Sequence, residues 1–80
     1  MGTKRAIANR IVQLCAERHI AINELASRSG VSPSTVYSIL DERSQNPGAV
    51  TIKKLCDGLD ITLGQFFNTP EFDALEQEIK

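Results

Sequence analysis

Long apolar runs are missing from this chain: no stretch approaches the roughly 18 residues that a membrane-spanning helix requires. Its opening Met1-Gly2-Thr3-Lys4-Arg5-Ala6 leads into an amphipathic segment instead of a signal-peptide core. A cytoplasmic protein without membrane contact is the expectation. Histidine is nearly absent, with His19 alone, and the two cysteines, Cys15 and Cys56, stand 41 positions apart. Neither has a second Cys or His at metal-ligand spacing, so no metal, disulfide framework or cofactor is expected, and both read as small buried apolar groups. Also lacking are a glycine-rich phosphate loop, paired carboxylates with a reason for perturbed acidity, and a residue to orient a histidine base, which points away from an enzyme. His19, at the end of a helix, reads as a solvated or C-capping side chain. No segment alternates with period two for long enough to make a strand, and there is no internal repeat.

What is present is an ordinary globular composition of 80 residues, 41% hydrophobic and 24% charged, enough for one domain. The formal net charge of −1 conceals an asymmetry: residues 1–54 carry eight Lys and Arg against four acids, whereas residues 55–80 set Lys80 against six. A basic body with an acidic tail can still present one positive face, because local potential and not net charge steers a ligand.

Helical periodicity organises the chain. Ile7, Ile11, Leu14 and Cys15 make one stripe of a first helix from about Lys4 to Arg18, with Thr3 as its N-cap. Glu24 to Ser29 form a short second helix ended by Gly30. Ser32-Pro33 is an N-cap followed by proline at the first helical position, and it opens a third helix with Val36, Ile39 and Leu40 inward. By the 100° step, Ser34, Ser38 and Asp41 lie opposite, flanked by Tyr37. After a loop at Arg43 to Gly48, a fourth helix spans about Ala49 to Gly58 with Ile52, Leu55, Cys56 and Leu59 inward. Thr62 and Gln65 make a capping box for a fifth, carrying Phe66 and Phe67. Thr69-Pro70 starts a sixth with Phe72, Leu75 and Ile79 on one stripe. The fold expected is all-α, a compact bundle of five or six short helices around one core.

The informative unit is the second and third helices together. Ala26 is small where two helices cross, Gly30 turns the chain in a few residues, and Val36, Ile39 and Leu40 seat the third helix with its polar side outward. That is a helix-turn-helix. On Glu24-Leu25-Ala26, Gly30-Val31-Ser32, Ser34-Thr35-Val36, Asn46-Pro47, Leu55 to Leu59 and the closing Ile61-Thr62-Leu63 with Phe66-Phe67, the sequence resembles the phage lambda repressor/Cro-like, Xre-type helix-turn-helix family of bacteria and their prophages. The resemblance spans Ala6 to Phe67. It implies a DNA-binding domain over residues 1–68 whose third helix enters the major groove, acting as a homodimer on a palindromic double-stranded operator, with no small-molecule effector evident. Residues 69–80 would form an acidic helix that packs on the domain or at a dimer interface.

Carried onto this chain, the resemblance implies base contacts from Ser32, Ser34, Thr35, Tyr37 and Ser38, whose hydroxyls fit several base edges and read them less sharply than Gln or Arg would. Phosphate contacts would come from Lys4, Arg5, Arg10 and Arg28 and from the loop Arg43, Ser44, Gln45 and Asn46. Three positions depart from the family. Ala21 and Ile22 stand where the second helix usually opens with a Ser or Thr cap and a DNA-binding Gln. Cys15 and Leu40 replace an Arg–Glu pair on both sides, so the two apolar side chains are expected to meet. Asp41-Glu42 fill an exit usually held by Gly or Asn. The rival reading is a protein-interaction module of the same fold, such as an antitoxin or anti-repressor partner.

Overall fold

The computed structural model describes residues 2–41 and 46–79. It is all-helical among those residues: α1 (Thr3–Glu17), α2 (Ile22–Ser29), α3 (Pro33–Leu40), α4 (Ala49–Gly58), α5 (Leu63–Phe67) and α6 (Pro70–Asp73). Three of these helices end in the same way. The residues just past α1, α2 and α4, His19, Gly30 and Asp60, take left-handed backbone with φ of 54°, 70° and 58°. At each end the next N–H reaches back into the last turn: Ile20 to the Cys15 carbonyl, Val31 to that of Ala26 and Ile61 to that of Cys56, at 3.0 to 3.1 Å. This 6→1 closure satisfies carbonyls that a helix end would leave unpaired. The residues it joins are a small buried one and a half-buried aliphatic packed on the core, so each turn also folds its helix end inward. His19 is thus the terminating residue of α1, exposed to solvent.

The core joins Ile7, Ile11 and Leu14 of α1, Leu25 and Ala26 of α2, Val36 and Ile39 of α3, and Ile52, Leu55 and Leu59 from α4 and its end. Phe66 closes it, fully buried, with Phe67 edge-on at 4.8 Å and Phe72 at 6.1 Å. Cys15 lies in this core and Leu40 packs against it. Burial pushes both thiols, Cys15 and Cys56, above their ordinary range, which makes them poor nucleophiles at neutral pH.

A tight helix crossing falls between α2 and α4, where a Cβ on Gly58 would lie 2.1 Å from Ser29 Oγ and 3.1 Å from the Ser29 backbone nitrogen. The Ser29 hydroxyl is sealed in this crossing and finds no hydrogen-bond partner among the described residues.

Local signals placed most helix starts. Ser32 caps α3 with Pro33 at its first position, Thr62 and Gln65 form the reciprocal box of α5, and Thr69 caps α6. Thr3, however, is the first residue of α1 and not its N-cap; Gly2 holds that position without a side-chain bond. The second helix begins at Ile22, earlier than Glu24. The sixth differs most. α6 stops at Asp73 and residues 75–79 are not helical, so Phe72, Leu75 and Ile79 do not share a helical stripe: Phe72 packs on the core, Leu75 is half-buried and Ile79 is 85% exposed. A four-residue helix rich in acids has little cooperative reason to propagate, and Glu78 is drawn instead to the start of α1.

Two outcomes follow for stability, both measurable by urea unfolding. Ser29→Ala removes an unpaired buried hydroxyl and is expected to stabilise the fold by about 1 kcal/mol, whereas Gly58→Ala drives a methyl into Ser29 and costs about 1–3 kcal/mol. At Gly30 nothing would meet an added Cβ, so Gly30→Ala isolates the cost of left-handed backbone, about 1–2 kcal/mol.

Candidate nucleic-acid interface

Helix α3 is held at both ends and along one side. Val36 and Ile39 are buried beneath it, which turns Ser34, Thr35, Tyr37 and Ser38 to solvent, with Tyr37 51% exposed. Ser34 and Ser38 are one turn apart on the same face. At the start, Ser32 Oγ accepts from the Thr35 amide at 3.3 Å and exchanges hydrogen bonds with Thr35 Oγ1 at 2.8 Å and Ser34 Oγ at 3.1 Å. The expected base-contact residues are therefore brought together on one exposed surface, three of them in a single hydroxyl network. A polar, shallow and unobstructed ridge of this kind can present donors and acceptors to a groove.

The exit of α3 is built by a remote residue. Asp41 takes ordinary extended backbone, φ −86° and ψ 122°, so no left-handed cap forms there. The ammonium of Lys4 supplies the missing donors instead, bonding the carbonyls of Ile39 at 3.3 Å and of Asp41. A cation at a helix C-terminus both pairs orphan carbonyls and opposes the negative end of the dipole. This explains how Asp41 can stand where a Gly or Asn was expected.

Arg10 does the same for α5. Its Nε donates to the Phe66 carbonyl at 2.8 Å and one terminal nitrogen to the Gln65 carbonyl at 2.9 Å, with Gln13 holding the other at 3.1 Å. Lys4 and Arg10, expected at phosphates, are thus committed to helix ends within the fold. Arg28 sits on the exposed side of α2, paired with Glu24 at 2.6 Å one turn earlier. Arg5 is exposed on the first turn of α1, and Asn46 is exposed just before α4. Arg43, Ser44 and Gln45 lie outside the described residues. Among the described members of the expected phosphate-contact set, Lys4 and Arg10 serve different helices, while Asn46 shares a groove with Thr3 and Lys4.

One acidic residue was missed by sequence reasoning. Glu78 Oε2 accepts from the Thr3 amide at 3.1 Å and from Thr3 Oγ1 at 2.8 Å, capping α1 from 75 positions away. No acid lies in the first turn of α1 itself, so this carboxylate meets an otherwise unanswered dipole end. Nothing in local spacing signals such a pair. Among the described residues no group of His, Cys, Asp and Glu is arranged to hold a metal ion, and no helix is long and apolar enough to cross a membrane.

Comparison with known proteins agrees with this geometry. Residues 10–71 match the family model of the Cro/C1-type helix-turn-helix DNA-binding domain. The structure is similar to the crystal structure of the prophage Lp1 protein 11, with a TM-score of 0.82 and 29% sequence identity, covering 94% of this chain and 100% of that one. No curated protein matches the chain.

The helix-end role of the two cations separates them from surface charge. Lys4→Met and Arg10→Met are expected to lower unfolding free energy by about 1–2 kcal/mol each, in the range of charge-assisted hydrogen bonds to part-buried carbonyls. Arg28→Met, which breaks only a half-exposed pair one turn long, should cost about 0.5 kcal/mol or less. Urea unfolding of the three variants at one salt concentration checks the order.

Proposed function

The chain belongs to the Cro/C1-type helix-turn-helix DNA-binding domain family, and from that premise we propose that it is a small transcriptional regulator, a repressor, that binds double-stranded DNA sequence-specifically by setting α3 into the major groove. The observation that carries this reading is the exposed polar ridge of α3, backed by a fully seated apolar side and pinned at both ends. A helix with its side chains is about 10–12 Å across, which a major groove about 12 Å wide admits. In this reading Ser34, Thr35 and Ser38 address base edges, with Ser32 acting partly through them and Tyr37 beside them against a thymine methyl or a phosphate.

Backbone contacts are assigned to Arg5, Arg28, Asn46 and the loop residues Arg43, Ser44 and Gln45, with Lys4 and Arg10 lending positive charge from the helix ends they hold. Specificity rests on hydroxyl readout and on DNA shape. Two copies, with half-sites about 34 Å apart on a palindromic operator, multiply a modest single-domain affinity.

Binding to sites selected from random DNA, measured at two salt concentrations, tests the proposal. If a dimer neutralises about 6–10 phosphates, affinity falls about 10³–10⁵-fold between 50 and 200 mM salt. Arg43→Ala should weaken binding to all sequences alike, whereas Ser34→Ala or Ser38→Ala should relax preference at one base pair per half-site, costing about 1 kcal/mol or more. Salt-insensitive capture of a protein partner, with no selected DNA site, would instead identify a protein-interaction module.

A further inference from the structure

Resting on the reading that Asn46 and its neighbours grip the DNA backbone, we propose that the acidic C-terminal segment is autoinhibitory. Its Glu78 carboxylate occupies the start of α1 beside that grip and must leave for the domain to bind DNA at full strength.

The geometry has three parts. Glu78 Oε2 takes both the amide and the hydroxyl of Thr3. The same groove, about 510 Å³, is lined by Thr3, Lys4, Asn46, Pro47 and Glu78, which puts the tail carboxylate in one groove with Asn46, a residue assigned to phosphate. Between its two fixed points the segment is lightly held: Phe72 packs on Phe66 and Phe67, residues 75–79 are not helical, and apart from half-buried Leu75 they are exposed.

Charge turns this arrangement into competition. A carboxylate and a phosphodiester oxygen both favour a helix N-terminus with free N–H and O–H donors. They cannot sit together in one groove without like-charge repulsion, about 1 kcal/mol at 4 Å even in water. The tether keeps the carboxylate at a local concentration that DNA must overcome. Because its two bonds to Thr3 are solvent-exposed, breaking them needs only a local opening and leaves the core intact. Glu71, Asp73 and Glu76 line no part of this groove, so the competition falls on Glu78.

The test compares the full chain with Glu78→Gln and Glu76→Gln, using fluorescence anisotropy on a short mixed-sequence duplex and thermal unfolding. Glu78→Gln keeps an acceptor for Thr3 while removing the charge; Glu76→Gln makes the same change in net charge at an exposed neighbour. The expected result is a gain in DNA affinity of about fivefold for Glu78→Gln at 50 mM salt, smaller at 200 mM as screening shortens the reach of the charge, with Glu76→Gln close to wild type. Equal gains in both variants would mean a diffuse effect of net charge and overturn the proposal. So would a wild type that binds DNA with the expected salt dependence while Glu78→Gln lowers thermal stability and leaves affinity unchanged. If neither wild type nor Glu78→Gln binds DNA at 50 mM salt, the DNA-binding reading fails and this inference falls with it.

Discussion

Helix ends govern this structure. A helix leaves about four donors unpaired at its start and four acceptors at its finish, and a chain of 80 residues divided among helices of four to 15 residues has many such ends for its size. Two solutions recur. At three ends a left-handed residue and a half-buried aliphatic close the helix locally, as at His19, Gly30 and Asp60. At other ends a charged side chain arrives from a distance: Lys4 at the finish of α3, Arg10 at that of α5, Glu78 at the start of α1.

This second solution shapes the functional surface. Lys4 and Arg10 belong to the basic excess of the first 54 residues, yet both point their charge at backbone carbonyls. In return α3 is pinned by the Ser32 cap at one end and an ammonium at the other, so a short helix that would be marginal alone is presented in one orientation. Preorganisation of this kind lowers the ordering cost of binding. The missing cap at Ala21 fits the same logic, because α2 draws its stability from Leu25 and Ala26 in the core and from the turn at Gly30.

Packing shows how close the interior runs to its limits. Gly58 stands opposite Ser29 where two backbones need that space, and the serine hydroxyl is trapped unpaired as a result. The replacement of a charged pair by Cys15 and Leu40 follows a different course: both are apolar, both join the core or pack on it, and no charged side chain is buried among the described residues.

Features carried by neighbours in sequence were legible in the order of amino acids alone. The proline-led cap at Ser32, the box of Thr62 with Gln65, the limits of α4, the inward stripes and the helix-turn-helix itself all depend on residues a few positions apart, where the repeat of a helix dictates who faces whom. They determine the fold class, the surface that α3 presents and, through them, the family. Thr3 as a bonded partner of Glu78, the diversion of Lys4 and Arg10, the Ser29–Gly58 contact and the early stop of α6 were decided only in three dimensions. Each joins residues 29 to 75 positions apart, or, for α6, depends on such a pair. No periodicity connects positions so distant; which cation meets which carbonyl depends on how the helices cross once the core has closed.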